Sequence, residues 1–138
     1  MRVVFRTRIS HPLFPDLPAA HAIGSKGRLP VLAGTYPELM RAATAGAQAS
    51  RAVFVLTFSG GPALSDFERD RLWETYQVPV LAMLRDRAGR LLAYECEAQS
   101  GMHVADVRLV PHDTLDSSAC ECGRPGQRLY PESLALTR

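Results

Sequence analysis

Three cysteines and one histidine in the last third of the chain are the residues whose types and spacing could support chemistry. His103 follows Cys96 after six residues, and Cys120 and Cys122 come after a further sixteen, with one residue between them. These are all of the cysteines in the sequence. Structural zinc ions are held tetrahedrally by four Cys or His ligands, whereas a catalytic zinc keeps one position for water. The spacing therefore predicts a structural zinc site formed by Cys96, His103, Cys120 and Cys122.

Gly123 directly follows the last of these cysteines and supports a metal site. A glycine after a ligating cysteine permits the tight turn that points backbone N–H groups at the sulfur. Three alternatives remain open. The cysteines could be small buried residues with His103 at the surface, Cys120 and Cys122 could form a strained disulfide, or a cysteine could be a nucleophile with His103 as its base.

Other polar candidates carry weaker patterns. His112 and Asp113 could be a base with its orienting carboxylate, but no nucleophile is indicated nearby, so a solvated loop is expected. His11 and His21 are expected at the surface. Residues 59–61, Ser-Gly-Gly after a strand, lack the Lys-Ser or Lys-Thr of a phosphate loop, which favours an ordinary strand-to-helix turn.

The elements that position these residues follow from the hydrophobic pattern. The apolar run at 51–58 predicts a strand covered on both faces. A helix at 65–77 and a strand at 78–84 follow it, which predicts a parallel strand–helix–strand crossover. Short strands at 91–97 and 102–110 predict antiparallel hairpins that place Cys96 opposite His103. The expected fold is α/β, a small sheet whose hairpins carry the zinc site.

Two helices begin with capping signals. Thr35 and Ser65 are each followed three residues later by a glutamate, which predicts capping boxes. The first helix is expected to extend to about residue 49, because its apolar residues recur at helical spacing. The buried face of the second helix is predicted to consist of four residues: Phe67, Leu72, Trp73 and Tyr76.

The N-terminal part is expected to be an arm, residues 1–33, ahead of an α/β module at 34–138, in a single domain. Residues 2–9 could be an edge strand. The three prolines between residues 12 and 18 are expected to exclude regular structure there.

Composition excludes several classes of protein. Sixteen basic and fourteen acidic residues give a net charge of +2, and their scattered distribution does not indicate a nucleic-acid or membrane surface. No apolar run approaches the roughly 18 to 20 residues that span a bilayer, and the N-terminal residues do not form a signal peptide. A cytoplasmic location is expected, where cysteines stay reduced or bind metal.

Two segments resemble one enzyme family. Residues 94–104 read Tyr-Glu-Cys-Glu-Ala-Gln-Ser-Gly-Met-His-Val and residues 120–129 begin Cys-Glu-Cys-Gly-Arg. Both are similar to segments of the phenylacetate-CoA ligases, which are acyl-adenylate-forming enzymes. Residues 58–80 resemble the part that precedes the adenylate-binding motif of that family. The likeness covers about residues 52–129 and implies a relative of the ligase core.

The departures from the family bear on activity. Residues 83–87, Met-Leu-Arg-Asp-Arg, stand where the family has Tyr-Gly-x-Thr-Glu, and its phosphate loop, ribose-binding segment and C-terminal lid have no counterpart. Adenylyl transfer depends on such groups. The expected function is a non-catalytic, zinc-stabilised binding or accessory module, with a second copy or a larger acyl-activating enzyme as partner. The alternative is a small enzyme that acts on an acyl or thioester substrate through a Cys or His.

Overall fold

The computed structural model describes residues 9–99, 101–110 and 112–130 of the chain. The fold is mixed α/β. The described residues form two compact units: one of residues up to Leu56 together with Leu64–Val80, and one of Thr57–Ala63 with the residues from Leu81 onward. The single domain expected from the sequence stays a prediction. Among the described residues, neither helix has the length and apolar character needed to cross a membrane.

The first unit contains three whole strands and most of a fourth, in chain order: β1 Ile9–His11, β2 Phe14–His21, β3 Arg28–Gly34 and β4 Gln48–Phe58. β1 and β2 are antiparallel, whereas β2 pairs with β3 and β3 with β4 in parallel. Helix α1, Tyr36–Thr44, connects β3 to β4. A strand–helix–strand unit with parallel strands therefore occurs at β3–α1–β4. The crossover expected over residues 52–84 stays a prediction.

The proline-rich segment is not irregular, and the expectation that its prolines exclude regular structure is wrong. β2 includes both Pro15 and Pro18. The paired residues of β2 are Phe14 and 19–21, none of which is a proline. A proline is tolerated in a strand where its missing N–H is not needed for pairing. The edge strand predicted at 2–9 lies outside the described residues except for Ile9, which begins β1.

Both predicted capping boxes are present. The Glu38 carboxylate accepts the Thr35 N–H at 2.9 Å at the start of α1. Helix α2, Asp66–Tyr76, begins in the same way, with the Ser65 N–H donating to Glu68 at 3.1 Å. Each box satisfies backbone N–H groups that have no partner within the first helical turn.

Helix α1 ends earlier than the sequence predicted. It stops at Thr44 rather than near residue 49, and Gly46 follows with a φ of 96°. A positive φ breaks the helical path at low cost only for glycine. Beyond it, Ala47 is buried just before β4 and Ala49 is buried within β4. Alanine suits both elements, so the spacing alone did not separate helix from strand.

Helix α2 buries only part of the face expected for it. Leu72 and Tyr76, four residues apart, are buried, and the Tyr76 hydroxyl donates to the Leu39 carbonyl. Phe67 is 67% exposed and Trp73 50% exposed, so their predicted burial is wrong. A helix has 3.6 residues per turn, so Phe67, five residues before Leu72, and Trp73, one after it, point away from the direction of Leu72. The Leu72–Tyr76 face packs in a core that includes Leu39.

The second unit contains three short strands and all but the first residue of a fourth: β5 Val80–Arg85, β6 Leu91–Tyr94, β7 Met102–Val104 and β8 Arg128–Leu129. Each pairs antiparallel with the next. β7 is shorter than the predicted strand at 102–110, because a 3-10 helix occupies Val107–Leu109. The Asp106 side chain caps that helix by accepting the Arg108 N–H at 3.0 Å.

Candidate metal centre

The residues predicted to bind metal come together in the second unit. We call them the ligand cluster: Cys96, His103, Cys120 and Cys122. His103 lies in the middle of β7, Cys96 lies two residues beyond β6, and both other cysteines lie in the loop before β8. Cys96, His103 and Cys120 are buried, whereas Cys122 is half-buried.

The strand register differs from the predicted hairpin. His103 pairs with Tyr94, not with Cys96. The chain turns after Cys96, whose carbonyl accepts the Gln99 N–H at 3.0 Å, and Gln99 takes a φ of 54°. Cys96 therefore approaches His103 from a turn rather than from the opposite strand position.

The ligand atoms lie close enough together to hold one metal ion. All four lie within 4.8 Å of one another. The sulfurs of Cys96 and Cys120 are 3.6 Å apart, and the Cys122 sulfur lies 3.4 Å from His103 Nε2. Zinc bonds of about 2.3 Å to sulfur and about 2.0 to 2.1 Å to nitrogen imply tetrahedral edges of about 3.8 Å and about 3.6 Å respectively. The Cys96–Cys120 and Cys122–His103 distances are each about 0.2 Å shorter than these values.

The alternative of a disulfide and the surface position of His103 are wrong, whereas Cys96 and Cys120 are buried as the first alternative expected. All three cysteines are free thiols, so Cys120 and Cys122 form no disulfide. His103 is not a surface residue, because only 4% of it is exposed. Its buried Nε2 points at a cysteine sulfur. The cysteine nucleophile is the alternative that remains.

The turn at Gly123 has the conformation predicted for a metal-binding loop. Gly123 has a φ of 82°, and its N–H donates to the Cys120 carbonyl at 3.0 Å. This turn points the Arg124 N–H at the Cys122 sulfur, 3.5 Å away. Backbone N–H groups directed at sulfur stabilise a thiolate and orient it for metal binding.

Neighbouring side chains that the sequence analysis missed hold the ligands in place. The Tyr94 ring stacks on His103, with centroids 5.7 Å apart. The buried Glu95 carboxylate accepts the Ala82 N–H at 2.7 Å, while the Glu95 N–H donates to the Ala82 carbonyl at 2.9 Å. Glu95 thereby fixes the backbone that leads into Cys96. No residue pattern around Glu95 reveals that it is buried.

The thiols differ in how readily they lose a proton. Burial raises the pKa of the Cys96 thiol to about 11. Desolvation also acts on Cys122, but hydrogen bonds from the Arg124 N–H and from the neighbouring thiols outweigh it and lower the Cys122 pKa to about 6. Without metal, Cys122 is therefore a thiolate at neutral pH and Cys96 is not. Metal binding must displace the proton from Cys96, because the thiolate is the ligand.

His11 is not at the surface, contrary to expectation. It is fully buried in the first unit, and its ring centroid lies 5.4 Å from that of Phe14 and 5.1 Å from that of Phe54. Its Nδ1 accepts the Leu13 N–H at 3.1 Å. A histidine in this aromatic setting contributes to packing.

Among the side chains that the structure describes, none of the remaining candidates belongs to the ligand cluster. His21 is half-buried, with its Nε2 3.6 Å from the Glu38 carboxylate. His112 begins a 3-10 helix, His112–Thr114, and its side chain lies outside the described part of the chain. The Gly61 N–H donates to the Phe58 carbonyl at 2.9 Å, which forms the ordinary turn that was predicted.

Comparison with known protein families and with curated proteins matched this chain to none of them. The resemblance to the phenylacetate-CoA ligases stays a prediction. The geometry of the ligand cluster by itself indicates what the cluster could bind. Four protein donor atoms lie within 4.8 Å of one another and could together hold one metal ion.

Proposed function

We propose that this chain is a non-catalytic, zinc-stabilised α/β module that acts as a binding or accessory protein, and that the ligand cluster holds one structural zinc ion. The observation that carries the proposal is the convergence of four donor atoms within 4.8 Å, on three buried residues and one half-buried residue.

The donor set supports zinc over other ions. Thiolate and imidazole ligands suit Zn²⁺, whereas Mg²⁺ and Ca²⁺ require oxygen ligands. A tetrahedral arrangement of three sulfurs and one nitrogen is typical of structural zinc sites. Thiolate ligands also persist best in a reducing compartment, which supports the expected cytoplasmic location.

The short strands around the ligand cluster support the proposal of a stabilising ion. β6, β7 and β8 contain only four, three and two residues. Strands this short give few ladder hydrogen bonds and little buried area. An ion bound to Cys96, His103 and the two loop cysteines would join three segments of the second unit. Structural zinc contributes about 10 to 16 kcal/mol in finger peptides.

The accessory role rests on the sequence resemblance together with one surface feature. The proposed partners are a second copy of the chain or a larger acyl-activating enzyme. Phe67 and Trp73 project from α2 of the first unit. Two large exposed aromatic side chains on one short helix are typical of contact surfaces, where aromatic residues supply much of the binding energy.

Elemental analysis tests the zinc proposal directly. Protein purified without a metal-affinity tag, from medium with ordinary trace metals, should contain about one zinc per chain. Cys96→Ser should lower that content strongly, whereas Ser117→Ala, an exposed position in the same unit, should leave it unchanged. Wild-type protein with less than about a tenth of an equivalent would contradict the proposal.

The remaining candidate is a small enzyme that uses a cysteine and a histidine. The contact between the Cys122 sulfur and His103 Nε2, at 3.4 Å, favours it, because this is the pairing of a thiol nucleophile with its base. Cys122 is also the least buried of the three cysteines. Zinc-loaded protein mixed with p-nitrophenyl acetate tests it. A burst of p-nitrophenolate that Cys122→Ser abolishes would favour the enzyme over the structural module.

A further inference from the structure

A buried arginine lies opposite a ligand of the cluster. Arg128 is in β8, where it pairs with His103 of β7, and only 4% of it is exposed. An arginine is almost never this deeply buried unless its charge and its N–H groups have partners. Its partners therefore indicate what the residue does.

Arg128 organises the loop that carries Cys120. Its backbone exchanges two hydrogen bonds with Asp116, at 2.7 and 2.8 Å. Its side-chain Nη2 donates to the Ser118 hydroxyl at 3.0 Å and to the Ala119 carbonyl at 3.3 Å. The Asp116 carboxylate lies 3.8 Å from the same nitrogen. One residue thus holds both ends of the segment that leads into Cys120.

The backbone and side-chain contacts of Arg128 differ in what they require of the residue at position 128. The backbone pair with Asp116 would form with any residue in strand β8, because it uses only main-chain groups. The contact with the Ala119 carbonyl needs a long side chain that can donate to two acceptors, and the peptide it fixes is the one bonded to Cys120. Arginine provides this planar set of donors, whereas lysine provides a single ammonium.

We propose that Arg128 is a positioning residue of the metal centre, which sets the place of Cys120 in the coordination sphere; this inference rests on the proposed zinc function. Three thiolates, one neutral imidazole and a divalent ion carry a net negative charge. A buried guanidinium beside the Cys120 peptide compensates that charge as well as orienting the ligand. Partners of this kind commonly change metal affinity by about 10- to 100-fold.

Substitution of Arg128 with measurement of zinc affinity tests the inference. Arg128→Met should bind zinc about 10- to 100-fold more weakly than wild type in a chelator competition. Arg128→Lys should recover part of the loss, since it restores the charge but not the two-acceptor geometry. With cobalt in place of zinc, Arg128→Met should also show an altered visible absorption spectrum. The control is Arg108→Met, which removes an exposed arginine of the same unit.

Two results would overturn the inference. In the first, wild type binds zinc and a folded Arg128→Met binds zinc with an affinity within a factor of about two of wild type. This would show that the arginine only stabilises the fold. If Arg128→Met does not fold, Ser118→Ala decides, because it removes one acceptor of the guanidinium from an exposed residue. It should weaken binding by about threefold to tenfold, and unchanged affinity would contradict the inference. Wild type without zinc would instead refute the proposed function itself.

Discussion

A single nitrogen of Arg124 contacts both carboxylate oxygens of Glu97, at 2.8 and 2.9 Å. Glu97 directly follows Cys96, and Arg124 lies two residues after Cys122. The ion pair therefore links two separate segments that carry ligands. Both side chains are substantially exposed, with 42% of the Arg124 side chain and 60% of that of Glu97 accessible.

We expect Glu97→Gln to change zinc affinity by less than about fivefold, because exposed ion pairs contribute little. The N–H that Arg124 directs at Cys122 belongs to the backbone and is unaffected. The backbone N–H of Glu97 and the side chain of Arg124 both donate hydrogen bonds to the Glu97 carboxylate, and these bonds lower its pKa. The contribution of the pair is thus present above the ordinary glutamate pKa and is lost as the pH falls below it. Chelator competition at low and high salt measures the effect. A loss of zinc affinity of more than tenfold would show that the Glu97–Arg124 ion pair contributes more than is expected of an exposed pair.

Gly123→Ala should weaken zinc binding by about 5- to 30-fold. Its φ of 82° is left-handed, a conformation that costs about 1 to 2 kcal/mol for a residue with a Cβ. No atom lies within 4 Å of the Cβ that would be added, so strain is the whole cost. Gly27→Ala is the matched control, because Gly27 has a φ of 73° and equally open space but lies in the first unit. Equal zinc affinities for both variants would contradict the role of the Gly123 turn.

The sequence was sufficient to predict features that depend on a few residues. The ligand cluster followed from residue type, because cysteine and histidine are the donors that zinc prefers. The capping boxes followed from pairs three residues apart, such as Thr35 with Glu38, whose hydrogen bonds form within one turn. The apolar run at residues 52–56 predicted a buried strand, and all five residues are buried in β4.

Features that depend on distant contacts could not be predicted. The register of β6 on β7 is set by the turn after Cys96, where Gln99 adopts a conformation that glutamine rarely takes. The strand at β2 forms because β1 and β3 pair with its residues other than proline. The burial of Arg128 depends on acceptors about ten residues away. None of these relationships leaves a periodic pattern in the sequence.

In metal-free protein, Cys122 should react first with iodoacetamide. Its pKa of about 6 makes it a thiolate at pH 7, whereas the raised Cys96 pKa of about 11 keeps that thiol protonated. The rate of the first alkylation should fall as the pH decreases through about 6. Peptide mapping after brief labelling in the presence of a chelator identifies the site. Initial labelling at Cys96 would show that the order of the two pKa values is wrong.

Cys122→Ser should loosen β6, β7 and β8 far more than Glu121→Ala does. The first variant removes a proposed zinc ligand, whereas the second truncates an exposed neighbour. Amide hydrogen exchange should show faster exchange across these strands in Cys122→Ser, with little change in β3 of the first unit. Chelator added to wild type should reproduce the pattern. Similar exchange in both variants would mean that Cys122 does not bind the ion.

The protein should not adenylate carboxylic acids. Met83 and Leu84, which the proposed resemblance aligns with the adenylate motif of the ligases, are buried in β5. The nearby Asp86 carboxylate is already engaged, 2.6 Å from the Arg90 guanidinium. A site that transfers phosphoryl groups needs free groups that position magnesium and the triphosphate. Purified zinc-loaded protein incubated with ATP and a panel of aryl and fatty acids should release no more pyrophosphate than a control without acid. Acid-dependent release that Asp86→Asn abolishes would replace the non-catalytic proposal with a ligase.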